Sequence, residues 1–160
     1  MTTSGFTTCL WFDGQAEEAA EFYLSVFKDG RRGRVGRYTE AGPGEPGSVL
    51  AVEFTVNGQK FVAVNGGPEF TFNEAISFQI HCADQDEVDY YWSRLTEGGG
   101  EEVQCGWLKD RFGVSWQVVP AVLFDLLDDS DPAKATATSR AMLGMKKLDI
   151  SALESAHTSG

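Results

Sequence analysis

Glu18-Ala19-Ala20-Glu21-Phe22-Tyr23 and Glu87-Val88-Asp89-Tyr90-Tyr91-Trp92 are two versions of one helical segment, and their recurrence decides the fold. Around the first, Ala16, Ala19, Ala20, Tyr23, Val26 and Phe27 recur at steps of three and four, leaving Glu17, Glu18 and Glu21 on the opposite face. Around the second, Val88, Tyr91, Trp92 and Leu95 keep helical spacing behind Asp84 and Glu87, a D-x-x-E capping box, and Gly98-Gly99-Gly100 ends the helix. Each helix follows a short strand, at residues 7–12 and 75–82. After the first helix, the glycines and arginines of residues 30–37 and the Gly-Pro run at 42–47 read as loops, with a short peripheral strand at 35–40. Leu50, Val52, Phe54 and Val56 then alternate at period two, and Asn57-Gly58 turns the chain into an antiparallel return at 59–65. After the second helix, residues 101–104, 107–110 and 113–119 supply the matching strands. The order β-α-β-β-β therefore occurs twice. The expectation is an α+β fold in one domain over residues 1–160: module one at about 5–66, module two at about 74–120, and the modules pairing into a curved mixed sheet. A C-terminal helical arm follows at 121–150. That arm has no evident core of its own, so it is expected to pack on the sheet or on a second subunit of a homodimer.

The chain has 160 residues, with 13 Lys and Arg against 24 Asp and Glu, for a formal charge of -11. Such an excess repels nucleic-acid phosphates and anionic lipid, so neither nucleic acid nor membrane is expected as a partner; a small molecule is. Cys9, Cys82 and Cys105 form no C-x-x-C pair, and the stretch from Met1 to Phe6 has neither a basic segment nor an apolar core. A reducing cytoplasm is the expected location.

Period-two alternation sorts the strand faces. Leu10 and Phe12 oppose Thr7, Cys9 and Trp11; Phe78, Ile80 and Cys82 oppose Ser77, Gln79 and His81; Trp116 and Val118 oppose Ser115, Gln117 and Val119. In the hairpin, Val62 and Val64 are read towards the helix, with Phe61, Ala63 and Asn65 away from it, on the same side as Glu53 and Thr55. One face is apolar and the other mixed. The mixed face is either a solvated sheet surface or the wall of a cavity, and large aromatics such as Trp11, Phe61 and Trp107 point to the cavity. Cys9, with His81 as a base, and Cys105, with Lys109 or Arg111 as a nearby cation, are nucleophile candidates; small-residue packing and a turn role compete with these. Lys109-Asp110-Arg111 reads as a charged hairpin tip, and His157 lies in a tail expected to fray from residue 154.

The duplicated module resembles the vicinal oxygen chelate superfamily of glyoxalases, bleomycin-resistance proteins and extradiol dioxygenases. The resemblance is strongest to its 3-demethylubiquinone-9 3-methyltransferase-like, or PhnB-like, branch. It is carried by Leu10-Trp11-Phe12-Asp13-Gly14, Asn65-Gly66-Gly67-Pro68, Phe72-Asn73-Glu74-Ala75-Ile76-Ser77-Phe78, Cys105-Gly106-Trp107-Leu108-Lys109-Asp110-Arg111-Phe112-Gly113 and Ser115-Trp116-Gln117. The resemblance implies a U-shaped sheet and a dimer. It also implies metal ligands near Thr7 and Asn65 and at Ser77 and Gln117, of which only Gln117 is a plausible ligand type, so no metal and no other cofactor is expected. A site outside the family pattern would need Glu53, His81 and Gln117. A methyltransferase needs a glycine-rich strand-to-helix turn for its methyl donor, and none occurs in the sequence.

The expectation is a metal-independent small-molecule binding protein of the glyoxalase and bleomycin-resistance type. Its cavity would be lined by Trp11, Phe61, Asn65, Ser77, Gln79, Trp107, Ser115 and Gln117, beside Glu53 and His81. The alternative is an isomerase, lyase or transferase in the same cavity with Glu53 or His81 as general base.

Overall fold

A computed structural model describes residues 5–160; residues 1–4, the start of the N-terminal stretch read above, lie outside the described residues. The chain divides into two compact units, Met1–Thr71 and Phe72–Gly160. The first contains β1 (Thr8–Phe12), α1 (Ala16–Val26), β2 (Arg31–Arg37), β3 (Val49–Val56) and β4 (Gln59–Asn65). Its sheet runs β1-β4-β3-β2, with β1 parallel to β4 and the other pairs antiparallel. Asn57 and Gly58 both take positive φ, 49° and 73°, the backbone that a two-residue hairpin turn needs. The turn pairs Val56 with Gln59, and so Phe54 with Phe61 and Val52 with Ala63. Directly paired residues project to the same side. Phe54 stacks on Tyr23 of α1 at 5.9 Å between ring centroids and on Phe61 at 5.3 Å.

That geometry corrects the hairpin faces. Phe61 and Ala63 lie under α1, buried, whereas Val62 and Val64 share the outward side, away from the helix, with Glu53 and Ala51. The edge strand β2 also begins at Arg31, four residues earlier than its sequence suggests. Its glycines and charges hide a strand that, among the described residues, pairs with β3 alone and is interrupted by two register shifts.

The second unit repeats the order as β5 (Ser77–Cys82), α2 (Gln85–Thr96), β6 (Glu101–Glu102), β7 (Trp107–Lys109) and β8 (Ser115–Pro120), in a sheet ordered β5-β8-β7-β6. Asp84 Oδ1 accepts the Glu87 N–H at 2.9 Å, as the capping signal implies, while Glu87 reaches back one residue beyond the N-cap, to the Ala83 N–H at 2.8 Å. The class is α+β with a repeated β-α-β-β-β module.

The helical arm departs from expectation. Its helices α3 (Val122–Leu127), α4 (Pro132–Leu143) and α5 (Ile150–Ser159) close a core of Val119, Leu123, Leu148 and Leu153, with Met142 and Met145 packed against it. The arm thus has a core of its own, contrary to the reading above, and, since Val119 belongs to β8, closes it on module two, the first of the two placements expected for it. Residues 154–159 are helical, and His157 Nε2 meets Asp129 Oδ2 at 2.9 Å. The tip at Lys109-Asp110-Arg111 is also not simply a solvated charge run. Asp110 is 3% exposed, holding the Phe112 and Val114 N–H groups and the Trp116 indole.

Candidate functional site

The outward face of module two carries the clearest polar constellation. Register places Ser77 opposite Ser115, Gln79 opposite Gln117 and His81 opposite Val119 across the parallel pair β5 and β8, with Trp107 of β7 opposite Gln117. Alternation brings these groups to one side. Gln117 Nε2 donates to Ser77 Oγ at 2.8 Å, Gln79 Nε2 donates to Gln117 Oε1 at 3.1 Å, and His81 Nε2 donates to Gln79 Oε1 at 3.2 Å. The result is a chain of four polar side chains, with Trp107 opposite its second member, Gln117, and Phe124 of α3 edge-on to His81 at its end, at 5.4 Å. Ser115 shares this side but is 1% exposed, and its Oγ has no hydrogen-bond partner among the described residues. It is thus sealed beneath its neighbours and forms no open wall, contrary to its expected role.

In module one, Trp11 is placed outward as expected. Its indole donates to the Gly67 carbonyl at 2.9 Å, its ring lies edge-on to Phe70 at 5.0 Å, and Gly66 passes so close beneath that a Cβ there would sit 2.3 Å from the ring. Glu53 is outward too, but Arg34 binds both its carboxylate oxygens at 3.1 and 3.3 Å. The hydrogen bonds from Arg34 hold the Glu53 carboxyl below its usual range, which makes it a weaker proton acceptor. Two expected wall residues belong elsewhere. Phe61 is core, as described above. Asn65 pairs with Phe12, on the helix side; its Oδ1 accepts the Ala16 N–H at 2.9 Å and its Nδ2 donates to the Val49 carbonyl at 3.1 Å. Asn65 is therefore a long-range cap for α1, which lacks a side-chain bond from its own N-cap residue, Gln15.

The thiols separate by environment. Cys82 is buried, and desolvation pushes its pKa up to about 12, which removes it as a nucleophile. Cys105 sits at φ 61° in a turn whose N–H groups bond to Met145 and Lys146 of the arm. The cations expected to serve it are engaged elsewhere: Lys109 with Glu74, and Arg111 with the Glu97 carbonyl. Cys9 is exposed on the outward side of β1.

The donors at the metal positions implied by the fold do not suit a divalent ion. Ser77 and Gln117 offer a hydroxyl and a carboxamide, both neutral and bonded to each other, with Gln117 Oε1 accepting from Gln79 Nε2. Tight binding of iron, nickel, manganese or zinc calls for imidazole, thiolate or carboxylate donors. Among the described residues no group of three His, Cys, Asp or Glu comes together. Glu53, His81 and Gln117 are each committed to other partners. Nor is any helix among the described residues long and apolar enough to cross a membrane.

Comparison with known proteins agrees with this architecture. The sequence model of the 3-demethylubiquinone-9 3-methyltransferase family matches residues 4–119. A protein of solved structure from Bacillus cereus, described as a putative 3-demethylubiquinone-9 3-methyltransferase, PhnB protein, is 36% identical. That match covers 74% of this chain and all of that one, with a TM-score of 0.66. A Pseudomonas aeruginosa protein is 18% identical over 74% of this chain and 98% of its own, at a TM-score of 0.60. The fosfomycin resistance protein FosX of Listeria monocytogenes, complexed with Mn(II) and sulfate, is similar in fold alone: 17% identity over 74% of this chain and 92% of that one, at 0.51. No curated protein matches the chain. On the family match and the 36% identity, over a repeated β-α-β-β-β module, the chain belongs to the 3-demethylubiquinone-9 3-methyltransferase-like, PhnB-like, family of the vicinal oxygen chelate fold.

Proposed function

We propose that this glyoxalase and bleomycin-resistance-like chain binds a small molecule on the outward faces of its sheets without a tightly held metal. The observation that carries the reading is the hydrogen-bonded series Ser77, Gln117, Gln79, His81, which presents directional polar groups beside Trp107 and Phe124. A few polar groups among aromatics fix a ligand's orientation while the rings supply contact area. Methyl transfer finds no support, because the β1-to-α1 and β5-to-α2 connections, Asp13-Gly14-Gln15 and Ala83-Asp84, are too short and glycine-poor to cradle a methyl donor. The free thiols Cys9, Cys82 and Cys105 support a reducing compartment, the cytoplasm.

Tryptophan emission tests the reading. Trp11 and Trp107 lie on outward faces, whereas Trp92 and Trp116 are each 4% exposed and supply a constant background. In a screen of metabolites and antibiotics, a binder shifts the emission, and Trp11→Phe or Trp107→Phe removes part of the change. A flat response across the screen removes the proposal.

A further inference from the structure

The outward side of β2, β3 and β4 concentrates positive charge in a chain whose formal charge is -11. A cleft of about 570 Å³ lies there, with four cationic side chains, Arg31, Arg32, Arg34 and Lys60, and one carboxylate, Glu53, among its lining residues. Strand register explains how three of the cations converge. Arg31 pairs with Thr55, and Thr55 with Lys60, so both cations flank one threonine on the outward side. Two strand spacings, about 10 Å, separate their backbones.

Arg34 arrives by a bulge. Between the pairs Arg32 with Phe54 and Val35 with Val52, two residues, Gly33 and Arg34, face the single residue Glu53. A Cβ on Gly33 would stand 3.0 Å from the Glu53 Cβ and 3.1 Å from its carbonyl oxygen, so glycine is what lets the bulged backbone lie this close. Arg32 has the opposite parity and pairs with Glu21 of α1, on the helix side.

Edge protection is the simplest alternative, since charged side chains commonly guard an unpaired strand. It accounts for arginines on β2. It does not account for Lys60, which stands on the interior strand β4 and projects to the same side as Arg31. Arg34 neutralises Glu53, and neither Arg31 nor Lys60 forms an ion pair with a described residue. The cleft thus keeps a surplus of positive charge, in a volume that suits a small ligand and not a polymer.

Along β4, alternation places Lys60, Val62 and Val64 on the outward side. Val64 lines a second, more apolar cleft of about 360 Å³ with Trp11, Tyr38, Pro43 and Leu50. Four residues of strand set the two ends about 13 Å apart. We propose that this face binds a small amphipathic anion, its oxyanion head group held by Arg31 and Lys60 and its apolar body extended towards Trp11. The inference rests on the small-molecule reading above and names the ligand class for module one.

Two dyes with nearly the same aromatic body separate the claims: 8-anilinonaphthalene-1-sulfonate, which carries an anion, and neutral N-phenyl-1-naphthylamine. In fluorescence titrations of the full chain, the sulfonate is expected to bind about tenfold tighter, with the gap closing as salt rises. The double variant Arg31→Gln, Lys60→Gln changes only exposed side chains. It should lose about tenfold for the sulfonate and nothing for the neutral dye, with an unchanged circular dichroism spectrum. Equal binding of both dyes, indifferent to salt and to the double variant, overturns the anion assignment while leaving a small-molecule surface intact. Binding of neither dye overturns the assignment and takes the module-one ligand surface with it.

Discussion

Replacing Phe61 with Ala lowers the unfolding free energy by about 3–5 kcal/mol, the range for truncating a buried aromatic. Phe61 is 4% exposed and stacks on Phe54 with 11° between ring planes, and Phe54 in turn stacks on Tyr23. Deleting the ring leaves a void beneath α1 that flanking Val52 and Ala63, both fully buried, have no side-chain length to fill. Urea unfolding monitored by circular dichroism reads the change. The same measurement distinguishes this placement from an aromatic on an open ligand wall, whose truncation would cost under about 1 kcal/mol and act on ligand affinity instead.

Asp110→Asn is expected to cost about 2–4 kcal/mol, although the substitution changes almost no volume. Oδ1 accepts the N–H groups of Phe112 at 2.9 Å and Val114 at 3.1 Å, and Oδ2 accepts the Trp116 indole N–H at 2.9 Å. An asparagine oxygen can serve the two backbone donors. Its NH₂ group then faces the indole N–H, donor against donor, at a site with 3% exposure. Turning the amide over only moves the conflict to the backbone. The Asp110 N–H also bonds to the Val114 carbonyl at 2.9 Å, so the loss loosens the turn joining β7 to β8. Urea unfolding is again the readout, and a change below about 0.5 kcal/mol contradicts the assignment of Asp110 as an internal node.

The repeated module was legible because it is written twice, in two amphipathic helices with a strand before each and strands after. The module-two face was legible because β5, and β8 as far as Val118, alternate between apolar and polar residues, so parity alone placed Ser77, Gln79, His81 and Gln117 together. The β4 face was misread because its alternation is apolar on both sides. Polarity then drew Asn65 outward and carried Phe61 with it, although the two-residue turn at Asn57-Gly58 pairs Phe54 with Phe61 by counting alone. The cap on α1 was out of reach, since Asn65 is 49 residues from Ala16 in sequence. Ser115 and Asp110 were mistaken for exposed groups because polarity says nothing of what lies above a side chain. The basic cleft was hidden in a stretch whose glycines resemble a loop, and only the register with β3 shows which arginines turn outward. The arm was undervalued because its core is assembled from Val119, Leu123, Leu148 and Leu153, which come from four different segments: β8, α3, the connection between α4 and α5, and α5.

A site of hydroxyl, carboxamide, imidazole and aromatic groups that needs no metal is the centre of this account. Elemental analysis of untagged protein, purified without chelator and then supplemented with iron, nickel, manganese and zinc, tests it most directly. The account predicts no metal retained near one per chain after desalting. Stoichiometric retention of any one of them would contradict it, and would require Ser77, Gln117 and their neighbours to abandon the hydrogen bonds that now join them.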